Sequence, residues 1–403
     1  MRVLIADNLP DHARTRLASS GFEVHTDATL RDDGLADALA RIAPDVLVVR
    51  STKVTAAHVA ACPSLSLVVR GGAGVNTIDL PACSASGVFV ANCPGKNAIA
   101  VAELAFGLLL AIDRHLPQGD ADLKASRWNK KAYAKAEGLA GRTLGLLGTG
   151  SIGQAMIPRA KAFGMRVVGW SRSLDAAQAE ALGITWAPDP EAVARASDVL
   201  SVHLALTPET RGLVGDAILG ALPHGAVLLN TSRAEVVDGD ALLAALEGRG
   251  LRAGLDVFPD EPGGKEGPFD SAIARHPQVV GSHHIGASTE QAQRAVADEA
   301  CRVIERFRDD GRVENCVNRL IRSSAEHRVI VRHRDQVGVL ASVLGALSRA
   351  GLNVQEMENL IFPGGAAIAR IQVSGGPPDD LADTVAALSH VIHASILPIQ
   401  EAS

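Results

Sequence analysis

The chain has 403 residues, of which 47% are hydrophobic and 21% charged, the composition of an ordinary globular protein long enough for two or three domains. Its formal net charge of −6 leaves no basic surface for nucleic acid, and no apolar run approaches the roughly 20 residues of a membrane helix. The five cysteines lack metal-binding or C-x-x-C spacing, and the chain starts on a strand pattern without a signal peptide. We therefore expect no metal site and a cytoplasmic location.

Residues 1 to about 90 alternate short apolar runs with polar helical stretches, which predicts a parallel sheet of an α/β fold. The runs are 3–6, 46–50, 67–69 and 88–90. After the third run, Gly72, Ala73 and Gly74 form a small-residue turn whose N–H groups can make a nest for a carboxylate. A strongly apolar helix is predicted at 97–114, and its composition indicates burial in the domain, in an oligomer interface, or in both.

A glycine-rich loop at 143–153 is the strongest local signal in the chain. An apolar strand pattern ends at Leu147, and three glycines follow at G-x-G-x-x-G spacing before a helix and a second strand at 166–170: Gly148, Gly150 and Gly153. This arrangement predicts a Rossmann-type dinucleotide-binding unit. Ser151 and Ile152 open the helix, whose free N–H groups suit a pyrophosphate.

The second strand of this unit is not followed by the acidic residue that usually binds the ribose of NAD. Ser171 and Arg172 stand at that place. A serine and an arginine can instead hold the 2′-phosphate of NADP, so the sequence favours NADP. A solvated Ser-Arg turn, with NAD held by other contacts, is the alternative.

The strand–helix alternation continues to residue 310, and a different pattern follows a linker-like stretch at 312–327. Strands are predicted at 199–203, 227–230, 251–255 and 279–281, and a long helix at 288–310. The segment 326–403 then has the order β-α-β-β-α-β, which predicts a separate module.

Motifs along nearly the whole chain resemble those of the D-isomer-specific 2-hydroxyacid dehydrogenases. They are VVRSTKVT (48–55), RGGAGVNTIDL (70–80), NCPGKNAIAVAEL (92–104), GLLGTGSIG (145–153), HLALTPETRGL (203–213), NTSRAEVVD (230–238), LDVFPDEP (255–262) and HHIGAST (283–289). The resemblance implies a flavodoxin-like substrate domain at 1–96 and 286–318, with the Rossmann-type cofactor domain inserted at 97–285. The C-terminal module, 326–403, is similar to ACT domains, which have a ferredoxin-like fold and sense amino acids.

The resemblance also implies three catalytic residues. Arg233 corresponds to the arginine that binds the substrate carboxylate, His284 to the acid/base, and Glu261 to the carboxylate that fixes the tautomer of that histidine. Asp260 and His283 are neighbouring alternatives, since Ser282-His283 replaces a usual Thr-Pro.

Two further residues correspond to positions that contact the cofactor, Thr231 and Asp256, although a buried turn carboxylate at Asp256 has the same sequence signature.

Within the family the chain is most similar to members that oxidise 3-phospho-D-glycerate in L-serine biosynthesis. In those members Arg50 and Ser51 match the residues that contact the phosphate, and Asn97 lines the substrate site together with the 72–74 turn. A strand-end charge cluster is the alternative interpretation of Arg50. Two other functions remain open: an NADPH-dependent hydroxypyruvate or glyoxylate reductase, and a non-enzymatic protein that senses nicotinamide cofactors.

The similarity to ACT domains implies L-serine as a regulatory ligand and a homodimer or homotetramer as the assembly. The matching ligand residues are His333, Asp335 and Asn353. Asp335 departs from the asparagine usual at its position and adds a negative charge beside the ligand carboxylate. A purely structural role in dimerisation is the alternative.

Overall fold

The structure, a computed structural model, describes residues 1–262, 266–320 and 323–399, and the chain forms two compact units. The first unit, Met1–Asn318, contains two parallel sheets, and the second unit, which starts at Arg319, contains one antiparallel sheet.

The first sheet is built from the N-terminal strands and helices. These are β1 (Arg2–Ile5), α1 (Asp11–Ser19), β2 (Glu23–Thr26), α2 (Asp32–Ile42), β3 (Val46–Val49), α3 (Ala56–Ala60), β4 (Leu67–Arg70), α4 (Leu80–Ala85) and β5 (Phe89–Ala91). The strand order, β2-β1-β3-β4-β5, is that of flavodoxin-like sheets. The apolar runs predicted four of these strands, whereas β2 was missed because it is a short polar strand at the sheet edge.

The second sheet has seven parallel strands and belongs to the middle of the chain. Its elements are α5 (Ala98–Asp113), α6 (Leu116–Lys124), α7 (Lys130–Tyr133), β6 (Thr143–Leu147), α8 (Ser151–Ala162), β7 (Arg166–Trp170), α9 (Ala176–Leu182), β8 (Thr185–Trp186), α10 (Pro190–Arg195), β9 (Val199–Val202), α11 (Asp216–Ala221), β10 (Val227–Asn230), a 3₁₀ turn (Ala234–Val236), α12 (Gly239–Arg249), β11 (Arg252–Leu255), α13 (Ala272–Arg275) and β12 (Val279–Gly281). The order β12-β11-β10-β9-β6-β7-β8 reverses direction between β6 and β9, which creates the crevice where Rossmann-type sheets bind ligands.

A long helix, α14 (Glu290–Asp310), carries the chain back to the first sheet. Its apolar side, which includes Val296, Ala300 and Ile304, packs in one core with residues of β1, β3 and β4. Helix α5 packs instead against the second sheet. The domain boundaries predicted near residues 96 and 285 stay predictions, since the first unit is compact as a whole.

The second unit has the predicted order β-α-β-β-α-β. It consists of β13 (His327–Arg334), α15 (Val339–Arg349), β14 (Asn353–Phe362), β15 (Ala366–Ser374), α16 (Leu381–Ala386) and β16 (Val391–Pro398), with strand order β14-β15-β13-β16. The two helices cover one face of the sheet, where Val331, Leu347 and Ile371 are buried together. Across the described parts of the two units, no helix is both long and apolar enough to pass through a membrane.

Candidate active site

A cleft of about 840 Å³ lies in the first unit, at the carboxyl ends of strands from both parallel sheets. Its walls come from the loops that follow β4, β6, β9, β10 and β11 and from the loop before α14. Residues that the sequence analysis placed in the site line the cleft: Ala73, Gly74, Asn97, Ile152, Thr231, Arg233, Asp256 and His284. The parallel sheets therefore gather motifs that are up to two hundred residues apart in sequence.

His284 and Glu261 form a hydrogen-bonded pair at the cleft. The Nδ1 atom of His284 lies 2.7 Å from Oε2 of Glu261, and the other carboxylate oxygen accepts a bond from the Phe258 N–H at 2.8 Å. Nδ1 can therefore donate to the carboxylate, which leaves Nε2 as the ring nitrogen available to a ligand. Of the two neighbouring carboxylates, Glu261 rather than Asp260 makes this bond.

Asp256 holds the loop that carries His284. His284 has a left-handed backbone with φ 52°, which is uncommon for a residue other than glycine. Its N–H donates to the Asp256 carbonyl at 2.8 Å, and the buried Asp256 carboxylate accepts bonds from the Ser282 hydroxyl at 2.6 Å and the Ile285 and Gly286 N–H groups at 2.9 and 2.8 Å. This is the buried turn carboxylate that the sequence left open, although Asp256 also lines the cleft.

Arg233 reaches the small-residue turn of the first sheet. A Cβ atom on Gly74 would lie 2.6 Å from Nη2 of Arg233, so a larger residue at 74 would displace the guanidinium. On its own side, Arg233 donates from Nη1 to the Ser232 carbonyl at 2.7 Å, and its carbonyl accepts a bond from Asn230. Thr231 is buried beside it, and among the described residues its hydroxyl has no hydrogen-bond partner.

The glycine loop has the close packing that a dinucleotide site requires. Gly148 has φ 98°, and a Cβ atom there would lie 2.5 Å from the His203 carbonyl oxygen. A Cβ atom on Gly153 would lie 2.2 Å from the Gly148 carbonyl oxygen. Gly150 precedes α8 without a side-chain cap and has open space beside it, so the N–H groups that begin at Ser151 are free to meet a phosphate. The loop fits a dinucleotide.

Ser171 and Arg172 lie beyond β7, at the far end of the same crevice. The Ser171 hydroxyl is 2.8 Å from the hydroxyl of Thr149 in the glycine loop. Arg172 is exposed. The pKa of Glu209 is lowered by a hydrogen bond from Thr207 and, to a smaller extent, by the positive charge of Arg172. A carboxylate therefore lies near this arginine.

Comparison with known proteins agrees with this geometry. The family model for the NAD-binding domain of D-isomer-specific 2-hydroxyacid dehydrogenases matches residues 106–286. A D-3-phosphoglycerate dehydrogenase of Methanocaldococcus jannaschii is 36% identical over 79% of this chain and 59% of its own length. The chain belongs to the D-isomer-specific 2-hydroxyacid dehydrogenases. The second sheet therefore lies in the segment that matches the NAD-binding domain of this family.

Two solved structures resemble this family member over about four fifths of the chain. The NADPH-dependent glyoxylate/hydroxypyruvate reductase of Sinorhizobium meliloti, in complex with NADP and malonate, is 30% identical, with a TM-score of 0.65 over 78% of this chain and 96% of that one. The NAD⁺-bound 3-phosphoglycerate dehydrogenase of Entamoeba histolytica is 25% identical, with a TM-score of 0.66 over 80% and 99%. The chain spans only about half to two thirds of the length of the curated relatives that it matches.

A smaller cavity of about 160 Å³ adjoins the cleft. Arg50 lines it, and Arg70, Asn97 and His284 line both cavities. Arg70 is the first residue of the RGGAGVNTIDL motif but was not among the predicted site residues. A charged residue at the end of the otherwise apolar strand β4 was the available signal.

Arg70 is an unusual arginine because its charge faces other positive charges. Its Nε atom is buried and, within the described residues, has no hydrogen-bond partner. Burial, and then the charges of Arg233 and Arg50, lower its pKa from the usual value. No carboxylate of the described residues forms an ion pair with Arg70, so this cluster of three arginines is suited to an anionic ligand.

The remaining predicted substrate residues make contacts within the protein. Gly72 donates its N–H to the Arg70 carbonyl at 2.8 Å, and a Cβ atom on Gly72 would collide with the Arg70 guanidinium. The Ala73 carbonyl accepts a bond from Asn92 at 2.5 Å. The N–H and the hydroxyl of Ser51 both donate to the carboxylate of Asp7. Of these residues, Gly72 and Ala73 also border the cavities.

The three predicted ligand residues of the second unit do not meet within one chain. His333 is buried, and its ring bonds Asn359 at 3.1 Å and the Arg334 carbonyl at 2.7 Å. His333 lies opposite Ala367 of β15, whereas Asn353 lies opposite Ser374. Seven residues of strand separate these two positions, a distance of about 23 Å. Asp335 follows β13 directly, at the end of the sheet where His333 lies.

Proposed function

We propose that the chain is a D-3-phosphoglycerate dehydrogenase, which oxidises 3-phospho-D-glycerate to 3-phosphohydroxypyruvate in the route to L-serine. The observation that carries this proposal is the continuity of the two cavities. Arg233 and His284 line the larger one, Arg50 lines the smaller one, and Arg70 lies between them. A substrate with a carboxylate at one end and a phosphate at the other suits such a pair of cavities.

The proposed chemistry uses the His284–Glu261 pair and Arg233. The guanidinium of Arg233 binds the C1 carboxylate in a bidentate manner and thereby orients C2. Nε2 of His284 accepts the proton of the C2 hydroxyl, and the Glu261 carboxylate stabilises the imidazolium that forms. A nicotinamide cofactor, held at the glycine loop and the uncapped start of α8, would supply the acceptor for the hydride of C2. In the reverse direction His284 returns the proton to the carbonyl oxygen.

The proposed phosphate site is the smaller cavity. Arg50 and Arg70 supply two positive charges, and the half-buried position of Arg70 lowers the exposure of its charge to water, which strengthens a bond to a dianion. The names of the curated relatives support this substrate, since the matches include D-3-phosphoglycerate dehydrogenases of Methanocaldococcus jannaschii and of other organisms.

A second candidate is an NADPH-dependent glyoxylate or hydroxypyruvate reductase. The observation that favours it is Ser171-Arg172 at the end of β7, where no carboxylate opposes a 2′-phosphate. The solved relative from Sinorhizobium meliloti carries this name and binds NADP. Arg70 counts against this candidate, because an unphosphorylated substrate gives a second half-buried arginine no anion to bind.

For the cofactor we propose a modest preference for NADP. Ser171 can reach a 2′-phosphate while bonded to Thr149, and Arg172 can add a charge-assisted bond. Glu209 near Arg172 competes for that charge, which argues for a small preference rather than absolute selection.

For the second unit we propose an ACT-type regulatory module that works as a pair. The β-α-β-β-α-β order supports this assignment. Since His333 and Asn353 lie at opposite ends of the sheet, an L-serine molecule that contacts both needs His333 from one copy and Asn353 from another. The exposed side chains of Ile99, Leu116 and Trp128 in the first unit also support a homodimer or a homotetramer.

A substrate panel tests the proposal. The full chain is assayed in the reductive direction with 3-phosphohydroxypyruvate, hydroxypyruvate and glyoxylate, each with NADH and NADPH. We expect kcat/KM for 3-phosphohydroxypyruvate to exceed that for hydroxypyruvate by at least about tenfold, since a charge-assisted bond contributes roughly 1.5–3 kcal/mol. Equal values for the two substrates would favour the reductase, and no turnover with any substrate would favour the sensor.

A further inference from the structure

Asp7, directly after β1, fills an anion-binding nest with its own carboxylate. Three consecutive N–H groups, those of Arg50, Ser51 and Thr52, donate to its Oδ2 atom at 2.7, 2.9 and 2.9 Å. The Ser51 hydroxyl donates to Oδ1 at 3.1 Å. Successive backbone N–H groups that converge in this way form a site that usually holds an external anion. Here a buried side chain of the protein occupies it.

The surroundings keep this carboxylate ionised. Burial by itself raises the pKa of Asp7, but the backbone hydrogen bonds from Arg50 and Thr52 and the further bonds to the loop outweigh burial and lower the pKa below its usual value. Arg31 places a guanidinium nitrogen 3.5 Å from Oδ1. A second tether comes from the Thr52 hydroxyl, which donates to the Ala6 carbonyl at 3.1 Å. The 50–52 backbone is thus tied to the end of β1 at several points.

Arg50 leaves this tethered segment and lines the smaller cavity. Asp7 holds the backbone from which the Arg50 side chain extends. It therefore restricts the positions that the Arg50 guanidinium can reach. Ser51 has both of its donors engaged by Asp7 and is less available to a ligand than the sequence suggested. Arg50 is then the group of this segment that is left to meet an anion.

We propose that Asp7 is a positioning residue that aims Arg50 at the phosphate of the substrate. The inference rests on the proposed function, because it assumes that the anion in the smaller cavity is a substrate phosphate. It has an electrostatic cost, because a carboxylate close to that cavity repels a dianion. Removal of the Asp7 charge should therefore weaken phosphate binding if the positioning of Arg50 dominates, and strengthen it if repulsion of the dianion dominates.

The decisive measurement is the ratio of kcat/KM for 3-phosphohydroxypyruvate to kcat/KM for hydroxypyruvate in the full chain. We expect Asp7→Asn to lower this ratio by roughly five- to tenfold, part of the ten- to hundredfold loss expected for Arg50→Ala. In the double variant the ratio should equal that of Arg50→Ala alone, since Asp7 acts through Arg50. A ratio that rises or stays unchanged in Asp7→Asn would overturn the inference, as would a further fall in the double variant.

Two variants separate positioning from general effects. Asp7→Glu keeps the charge but moves the acceptor away from the nest, so positioning predicts a lower ratio and electrostatics alone predicts no change. Asp11→Asn makes the same chemical change at an exposed aspartate of α1 and should leave the ratio unaltered. If Asp7→Asn folds poorly, the ratio of kcat/KM values measured for Asp7→Glu decides between positioning and electrostatics.

Amide hydrogen exchange gives a readout that does not depend on the substrate. In the ligand-free full chain, Asp7→Asn should accelerate exchange at residues 50–52 relative to the wild type and to Asp11→Asn. Unchanged exchange would show that Asp7 does not hold this segment and would overturn the inference. A wild-type enzyme without preference for the phosphorylated substrate would overturn the proposed function, while accelerated exchange would still show that Asp7 holds the segment.

Discussion

Predicted site residues lie together in the first unit of this chain but apart in the second, and the sheets of the two units explain the difference. In the first unit both sheets are parallel, so Arg70 at the end of β4 and the loops that carry Arg233 and His284 lie at the carboxyl edges of the two sheets and border one cleft. In the second unit the strands are antiparallel, and residues near the starts of β14 and the end of β13 lie at opposite ends of the sheet. Parallel sheets can bring such residues together within one chain, whereas in this antiparallel sheet the proposed serine site would take its residues from two copies.

The largest expected effect is at His284, the proposed acid/base of the first unit. His284→Ala should lower kcat by roughly 10²–10⁴ while the thermal midpoint stays near that of the wild type, because the variant loses proton transfer and no core packing. His283→Ala is the matched control and should retain most activity. If His283→Ala abolished turnover and His284→Ala did not, the cleft would be served by the other histidine.

Arg70 tests the link between the two cavities. Arg70→Ala should reduce kcat/KM for 3-phosphohydroxypyruvate by about ten- to a hundredfold and for hydroxypyruvate much less, since the proposed partner of this half-buried charge is the phosphate. The thermal midpoint should stay level or rise, because the variant removes a half-buried charge that Arg233 and Arg50 repel. A marked loss of stability with unchanged discrimination would give Arg70 a structural role, and exposed Arg166→Ala provides the control.

Ser171 and Arg172, at the far end of the crevice, should have a smaller effect, on the choice between NADPH and NADH. One partly exposed charge-assisted bond should give the wild type a preference for NADPH over NADH of roughly five- to thirtyfold in kcat/KM. Ser171→Asp should invert it, because aspartate repels the 2′-phosphate and accepts both ribose hydroxyls. Arg172→Ala should remove the preference without inverting it. A wild type that prefers NADH would leave Ser171-Arg172 as a solvated turn.

The smallest effect on basal activity is expected in the second unit. Asn353→Ala should leave kcat within about twofold of the wild type in the absence of ligand, since Asn353 lies on an exposed strand of the other unit. If L-serine inhibits the full chain at millimolar concentrations, Asn353→Ala should remove that inhibition, whereas exposed Gln355→Ala should not. Inhibition that persists in Asn353→Ala would place the serine site elsewhere, and a wild type unaffected by serine would leave the second unit a structural role.

The local parts of the candidate site could be predicted from the sequence. The Gly148–Gly153 loop is short, and a Cβ atom on Gly148 or Gly153 would collide with the backbone. The glycine spacing therefore predicts the tight turn, the close approach of the backbone to a ligand and the start of the helix. The alternation of apolar runs predicted the buried strands β1, β3 and β4 because strands covered on both faces are apolar throughout. The choice of His284 and Glu261 rested on motif resemblance, and the structure pairs these two side chains at 2.7 Å.

For other polar groups only the tertiary structure decided the partner. Asp7 is 43 residues from Arg50, and Arg70 is 163 residues from Arg233, so no local pattern connects either pair. The same holds for Asp256, whose carboxylate bonds a loop 26 to 30 residues away. A side chain in a sequence carries its charge and its donors, but burial and the partners that the fold brings near determine whether that charge holds a loop or meets a substrate.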